Sequence, residues 1–241
     1  MSEPVPVRPA STVVLLRDID GDGDPELLLV RRNRKLAFAG GFWVFPGGAV
    51  DAADREQAGD DEEHAARIAA AREAQEEAGV SPDPEQMALV SHWTTPEQEP
   101  RRFSTWIYAA VVPRDTHVEI DNGEIHDFQW RSAREALEAH RAGELPMMPP
   151  TYITLCALAR YRGAQEAVEG ERLTPVPQVV PRMIHRSDGF ITVYEGDAAN
   201  ASGDLESPGP RHRTELRNGG WHYEISADAN AQPLYPQDQV D

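Results

Sequence analysis

The sequence predicts an α/β protein with a mixed sheet and helices on both of its faces. Extended and helical segments follow one another in the order β-β-β-α-β-β-β-α-α, which favours this class over an all-α or all-β fold. Hydrophobic residues make up 40% of the chain, enough for a globule. A length of 241 residues allows one sizeable core together with an appendage.

The elements of the first part of the chain are predicted from apolar periodicity and from turn residues. Strands are expected at 11–16, 26–31, 42–45, 87–93, 103–112 and 125–130, and helices at 61–78, 133–140 and 151–162. A loose arm is expected up to Arg8, an Asp/Gly-rich hairpin turn at 18–24, a loop at 36–41, a polar spacer at 51–60 and a chain stop at Pro149 and Pro150.

The sequence predicts that the chain is divided into three segments. We expect a main domain over residues 8–163, a small β-rich C-terminal appendage over 164–226 and a disordered tail over 227–241. The appendage is predicted from two pairs of strand-like segments, one of which brackets the hairpin residues Asn218-Gly219-Gly220.

Charge and cysteine content exclude several classes of partner. The formal net charge is −18, so nucleic-acid phosphates and anionic membranes are not expected to bind. An anionic substrate needs cations or a local basic patch. The one cysteine, Cys156, cannot form an internal disulfide, which favours a reducing cytoplasm. No leader is evident at residues 1–9, and no apolar run is long enough to cross a membrane.

The most informative stretch is the C-terminal half of the helix predicted to end at Ala78. Glu73, Glu76 and Glu77 share one face in helical spacing, and the small-residue face formed by Ala70, Ala71, Ala74 and Ala78 is expected opposite them. Crowded carboxylates repel one another unless a cation lies among them, and Mg²⁺ prefers such ligands. The alternative is an acidic helix face that is simply solvated.

A basic cluster follows the second predicted strand. Arg31, Arg32, Arg34 and Lys35 stand out in so acidic a chain. Guanidinium groups match phosphate oxygens by geometry, so this cluster is a candidate clamp for substrate phosphates. The alternative is a solvated strand end.

These stretches together resemble the signature of the Nudix hydrolases. The matching positions are Gly48, Arg72, Glu73, Glu76, Glu77, Gly79 and Val80. The spacer between Gly48 and Arg72 is longer than is usual in that family, and the place of an upstream glutamate falls on His64, with Glu62 and Glu63 close by.

The resemblance implies a Nudix-type α/β/α sandwich over roughly residues 11–160. It also implies Mg²⁺, with Mn²⁺ as a substitute, and hydrolysis of a nucleoside diphosphate linked to another group. The implied metal ligands are Glu73, Glu76, Glu77 and the Gly48 carbonyl, with Arg72 orienting Glu76.

A glutamate in a loop near the metal is a common general base in that family. Our candidate for this base is Glu124, in the predicted turn Asn122-Gly123-Glu124, and His64 and His126 are the alternatives. Glu124 could instead be a turn residue without a catalytic role. Arg101 and Arg102, with Trp93 and Phe103, are candidate contacts for the leaving nucleoside. Core packing is the alternative for the two aromatic residues.

Local stretches resemble one branch in particular, the coenzyme A diphosphatase-like Nudix proteins with a long insert in the motif. They are 45–54, 93–105 and 143–151. Bacterial coenzyme A pyrophosphatases usually carry an arginine and a histidine where this chain has Ala37 and Ala39. A ligand-sensing Nudix module without catalysis is the second hypothesis, and a homodimer is left open.

Overall fold

The computed structural model describes residues 5–19, 23–34, 39–121, 123–187 and 189–237. Its strands are β1 (Val7–Arg17), β2 (Glu26–Arg32), β3 (Trp43–Val44), β4 (Gly47–Ala49), β5 (Ala88–Thr94), β6 (Arg102–Val111), β7 (Ile125–Ser132), β8 (Gln178–Val179), β9 (Arg182–Arg186), β10 (Gly189–Val193), β11 (His212–Arg217) and β12 (Gly220–Ile225). Its helices are α1 (Ala52–Ala58), α2 (Glu62–Ala78), α3 (Ala133–Arg141), α4 (Pro149–Leu158), α5 (Ala164–Leu173) and α6 (Ala198–Ser202).

Some expected features lie outside these residues. They are the middle of the Asp/Gly turn at 20–22, the loop residues 36–38 with Ala37, Lys35 of the basic cluster, Asn122 of the predicted turn and the last four residues of the predicted tail.

A mixed sheet of eight strands forms the centre of the protein. Its main path is β3-β2-β1-β6-β5-β8, while β4 pairs with β1 and β7 pairs with β2. Strand β1 is parallel to β6 and antiparallel to β2 and β4. Residues alternate between the two faces, so the odd positions Val13 and Leu15 of β1 pack towards α2, and the even positions Val14 and Leu16 pack towards α3, α4 and α5. The predicted α/β/α sandwich is confirmed.

Helix α2 has the ends that its sequence predicts. The side chain of Asp61 accepts a hydrogen bond from the His64 N–H at 3.0 Å, and Gly79 ends the helix with φ 70° in the left-handed region. The alanines of this helix lie on the sheet at almost no exposure: Ala65, Ala66, Ala69, Ala70, Ala74 and Ala78. Small side chains let the helix axis approach the strands closely, which brings the residues near its C-terminus against β4.

The glutamates do not lie opposite the alanines, and that expectation was wrong. Glu77 is only 6% exposed, and Glu73 packs over Gly48 of β4. Both therefore continue the sheet-facing side of α2 towards its C-terminus. Glu76 points outward, as expected for the solvated side of the helix.

Three local expectations were also wrong. The expected N-terminal arm already belongs to β1 at Val7 and Arg8, which pair with Arg102 and Phe103 of β6. The expected polar spacer contains α1, which begins with a reciprocal cap between Asp51 and Asp54. Pro149 and Pro150 begin α4 instead of ending an element, because the first turn of a helix needs no N–H from them.

The C-terminal part adds a second, antiparallel sheet in the order β12-β11-β10-β9. Its hairpin turns at Asn218 and Gly219, both with positive φ. Trp221 joins this sheet to the main domain: its backbone N–H donates to His140 Nε2 at 2.9 Å and its indole N–H donates to the Met147 carbonyl at 2.8 Å.

Residues after the second sheet also contact the main core. Leu234 is 7% exposed, and its N–H donates to the Tyr223 hydroxyl at 2.9 Å. Among the described residues, none of the helices is both long and apolar enough to cross a membrane.

Candidate active site

A turn of two glycines forms the floor of the candidate site. Gly47 and Gly48 belong to β4, where they pair with Thr12 and Ser11 of β1. A Cβ at Gly47 would overlap the Ser11 carbonyl, and a Cβ at Gly48 would overlap the carboxylate of Glu73. Only glycine therefore allows β4 to lie between β1 and the C-terminal half of α2.

Arg72 is the most heavily bonded side chain of the site. Its guanidinium donates to both oxygens of Asp54 at 3.1 and 3.0 Å, and to the Ala49 carbonyl at 2.9 Å. It also donates to Glu73 at 2.9 Å and to Glu76 at 3.2 Å. The hydrogen bond to Asp54 raises the pKa of Arg72, so this side chain stays a cation that holds two of the three glutamates.

Asp54 is the residue that the sequence interpretation missed. It is 1% exposed and lies in α1, inside what was expected to be a spacer. Since Asp54 accepts hydrogen bonds from both Nε and Nη2 of Arg72, it fixes the plane of the guanidinium group. The signal was available in the sequence, because Asp51 and Asp54 have the spacing of a helix cap at the start of α1.

Glu77 is the buried carboxylate of the site. Its Oε2 accepts a hydrogen bond from the Gly47 N–H at 2.9 Å, and its Oε1 lies 3.7 Å from Arg32 Nη1. Burial raises the pKa of Glu77 to about 7, although the Gly47 N–H and Arg32 both oppose that shift. This carboxyl group therefore changes its charge near neutral pH.

Glu73 and Glu76 differ in exposure although the same arginine holds them. The Glu73 side chain is 15% exposed and the Glu76 side chain is 58% exposed. Burial raises the pKa of Glu73, and the neighbouring Arg72 opposes that shift. Side-chain exposure thus increases from the buried Glu77 through Glu73 to Glu76.

Glu124 reaches the same site from the loop before β7. Its Oε2 accepts a hydrogen bond from Arg32 Nη2 at 3.1 Å, and its side chain is 57% exposed. Arg32 therefore bridges Glu124 and Glu77, which places the candidate base beside the glutamate helix. The alternative His64 instead pairs with Glu85 at 3.1 Å near the start of α2, and His126 is exposed on β7.

The other predicted substrate contacts are more dispersed. Arg31 donates to the Gly41 carbonyl at 3.3 Å and lies over the Trp43 ring, and Arg34 is exposed. Arg101 is exposed, and Arg102 donates to the Thr95 carbonyl at 3.2 Å. Among the arginines predicted to bind phosphate, all of which lie in the described part of the chain, Arg32 is the one that pairs with glutamates there, namely Glu77 and Glu124.

The register shows how far Arg102 lies from the glycine turn. Arg102 pairs with Val7 on β1, whereas Gly48 pairs with Ser11, about 13 Å further along that strand at 3.3 Å per residue. Trp93 is a core residue at 5% exposure, so the core-packing alternative holds for it.

The donor chemistry of this site fits a hard divalent cation. Carboxylate oxygens of Glu73 and Glu77 lie against the backbone of Gly48 and Gly47, with Glu76 one helical turn from Arg72 on the exposed side, and such oxygens are the ligands that Mg²⁺ prefers. Within the described part of the chain, no three acidic, histidine or cysteine side chains are already close enough to hold a metal ion. Arg72 binds Glu73 and Glu76, and the Gly47 N–H binds Glu77, so a cation would have to share or replace some of these contacts.

The comparisons with known proteins agree with this fold. Residues 7–150 match the NUDIX domain family model, which is more than half of the chain. The protein therefore belongs to the NUDIX domain family.

Among its relatives is acyl-coenzyme A diphosphatase NUDT19 of Gallus gallus, which is 32% identical over 121 residues, covering 44% of this chain and 30% of that protein. The Homo sapiens protein of the same name is 26% identical over 112 residues, with the same two coverages of 44% and 30%. The matches thus span less than a third of the length of these two relatives.

A solved structure shows the same likeness over a longer stretch. The NUDIX hydrolase from Alicyclobacillus acidocaldarius has a TM-score of 0.62 and 26% sequence identity to this chain. The comparison covers 71% of this chain and 99% of that one, so nearly all of the smaller protein has a counterpart here.

The raised pKa of Glu77 predicts how stability depends on pH. Between the pKa of an unfolded glutamate, about 4.3, and about 7, the folded state binds more protons than the unfolded state. The free energy of unfolding should therefore fall as pH rises through this window, by about 4 kcal/mol over the whole window from this one group. Glu77→Gln should remove that loss and become more stable than the wild type at pH 8.5.

Urea unfolding in EDTA at pH 5 and pH 8.5 measures this difference. Glu76→Gln is the control. Because the Glu76 side chain is 58% exposed, this substitution should change the pH dependence of the free energy of unfolding little. Equal pH dependence of the wild type and Glu77→Gln would contradict the assignment of a buried, neutral-pH carboxyl group.

Proposed function

We propose that this protein hydrolyses the diphosphate linkage of a nucleoside diphosphate joined to a second group, with Mg²⁺ as cofactor and Mn²⁺ as a substitute. The observation that carries the proposal is the contact of Glu73 and Glu77 of α2 with the two glycines of β4, with Glu76 held beside them by Arg72. A solvated acidic face would not bury Glu77 or need a glycine beneath Glu73.

Coenzyme A or a derivative is the first substrate to test. The name of the relative from Gallus gallus supports this choice, as do the stretches at 45–54, 93–105 and 143–151. Ala39, and Ala37 outside the described residues, argue against a substrate recognised as in the bacterial enzymes. Coenzyme A is therefore the leading member of a panel and not the only one.

The chain's residues divide the work of the reaction among them. Glu73, Glu76, Glu77 and the Gly48 carbonyl would hold the cation, which when bound offsets phosphate charge and acidifies water. Arg72, fixed by Asp54, orients Glu73 and Glu76. Above pH 7 Glu77 is ionised and can take part as a ligand.

Glu124 is the proposed general base. It would take a proton from the water whose oxygen attacks phosphorus, while the bridging P–O bond breaks and leaves two phosphate esters. Its exposed side chain and its single link to Arg32 leave it free to reach that water.

The lone buried cysteine also supports a cytoplasmic setting, since no internal disulfide needs an oxidising compartment.

The first test removes the carboxylate charge and keeps the shape. The double variant Glu76→Gln/Glu77→Gln should lose diphosphate hydrolysis by at least about 10³-fold, because the cation loses its ligands, while the fold survives. The assay is phosphate release from coenzyme A, NADH, ADP-ribose, nucleotide sugars and dinucleoside polyphosphates with Mg²⁺ or Mn²⁺. Glu62→Gln, exposed at the other end of α2, is the matched control.

Undiminished turnover in the double variant would reject the proposed mechanism. Tight nucleotide binding by the wild type without any product would instead favour the ligand-sensing module. Calorimetry with the same panel separates these two outcomes.

A second test concerns the base. Glu124→Gln should lower kcat by about 10²-fold and leave the affinity for Mg²⁺ near the wild-type value, since a general base contributes roughly that factor. Steady-state kinetics and isothermal titration with Mg²⁺ measure these two quantities. Glu119→Gln, exposed in the same loop, serves as control. A full kcat in Glu124→Gln, with a loss in His126→Ala, would move the assignment to His126.

A further inference from the structure

Arg32 occupies an unusual position between two carboxylates of the site. Its Nη2 donates to Glu124 at 3.1 Å, and its Nη1 lies 3.7 Å from Glu77 Oε1. The side chain is 19% exposed, and its Nε is buried and finds no acceptor among the residues that the structure describes. The guanidinium is thus a cation in the interior of the site whose hydrogen-bonding capacity is only partly used.

The two arginines of the site are held very differently. Arg72 makes five hydrogen bonds, two of them to the buried Asp54, and this network fixes it. Within the described ranges the Arg32 side chain makes one hydrogen bond, and its acceptor, Glu124, is itself more than half exposed. Arg32 can therefore turn within the site at much lower cost than Arg72.

A cation bound to Glu77 must compete with Arg32. The Gly47 N–H donates to Oε2 of Glu77, which leaves Oε1, the atom that Arg32 faces at 3.7 Å, as the less occupied oxygen for a cation. A doubly charged ion at Oε1 would lie a few ångströms from the guanidinium. Like charges at this distance repel each other even with solvent screening, and the double charge of the ion increases the repulsion.

We infer that Arg32 is a positioning residue that exchanges partners: a divalent cation at Glu77 displaces its guanidinium, which then binds a phosphate oxygen of the diphosphate. A guanidinium fork binds phosphate through two N–H groups, and the buried Nε of Arg32 would gain an acceptor in that arrangement. The inference rests on the proposed function and deepens it, because it couples cation binding to substrate binding through one side chain.

The exchange has opposite consequences for the two ligands. Without Arg32 the cation loses a competitor and binds more tightly, whereas the diphosphate loses a phosphate contact and binds less tightly. A side chain that only supports the fold would weaken both ligands when it is removed. The sign of the two changes therefore separates the exchange from a structural role.

The experiment compares Arg32→Gln with the wild type at pH 8.5. Isothermal titration of the EDTA-treated, dialysed protein with Mg²⁺ alone should show about fivefold tighter binding in the variant. Titration with ADP at saturating Mg²⁺ should show about tenfold weaker binding, the loss of a charge-assisted contact. Thermal unfolding first establishes that the variant is folded.

Two further variants make the test specific. Arg17→Gln removes the same charge from a neighbouring strand, where Arg17 pairs with Glu26 and is 20% exposed, and it should leave both affinities unchanged. Arg32→Lys keeps the charge and loses the fork, so its Mg²⁺ affinity should stay near the wild-type value while ADP still binds more weakly.

The outcomes are distinct. Weaker or unchanged Mg²⁺ binding in a folded Arg32→Gln protein would overturn the exchange and leave the proposed hydrolysis standing if the wild type binds Mg²⁺ and turns over substrate. Equal changes in Arg17→Gln would also overturn it, since the effect would then be one of net charge. A wild-type protein that binds no Mg²⁺ and hydrolyses no diphosphate would overturn both proposals.

Discussion

The contact between the C-terminal half of α2 and the glycine turn of β4 determines the rest of the site. Alanines bring the helix close to the sheet, and at its far end two glutamates take the sheet-facing positions. Only a strand without side chains leaves room for them, and Gly47 also supplies an N–H to Glu77. Every later feature, from the raised pKa of Glu77 to the position of Arg32, follows from carboxylates being packed where a stable core would place apolar groups.

The charges around this contact explain how a strongly acidic protein could accept an anionic substrate. Each of four carboxylates pairs with one of two guanidinium groups here: Glu73 and Glu76 with Arg72, and Glu77 and Glu124 with Arg32. Arg72 is anchored to Asp54 and Arg32 is not. The site thus combines one guanidinium that a buried carboxylate anchors with one that lacks such an anchor. In our account a divalent cation completes the neutralisation, so that the diphosphate meets local positive charge in spite of the net charge of the chain.

Several features of the fold were predictable because their causes are local. The caps of α2 at Asp61 and Gly79 and the capping box of α3 at Ser132 and Glu135 appear in the structure where the sequence indicates them. The central sheet and its two helical layers followed from the order and periodicity of the segments. In the same way, the seven motif positions identified the family that the comparison then showed.

What failed depends on contacts between residues that are distant in the chain. Glycine pairs do not indicate a strand, so β4 became evident only through its pairing with β1. No periodicity reveals that Asp54 meets Arg72 eighteen residues away, or that Arg32 meets Glu77 and Glu124. Residues 51–60 look like a polar spacer in the sequence because α1 is short and exposes most of its residues. Leu234 is buried through contacts that include Tyr223 of the second sheet, which local sequence does not reveal. The division of the chain into domains and the roles of the site residues remain predictions.

The most direct test of the account is to locate the cation. Crystals grown with Mn²⁺ and a non-hydrolysable diphosphate analogue would reveal the metal by its anomalous scattering. The account predicts a peak at about 2.1 to 2.3 Å from carboxylate oxygens of Glu73 and Glu77, beside the Gly48 carbonyl, with a phosphate oxygen as a further ligand. A peak elsewhere, or none at this turn while the analogue is bound, would contradict it.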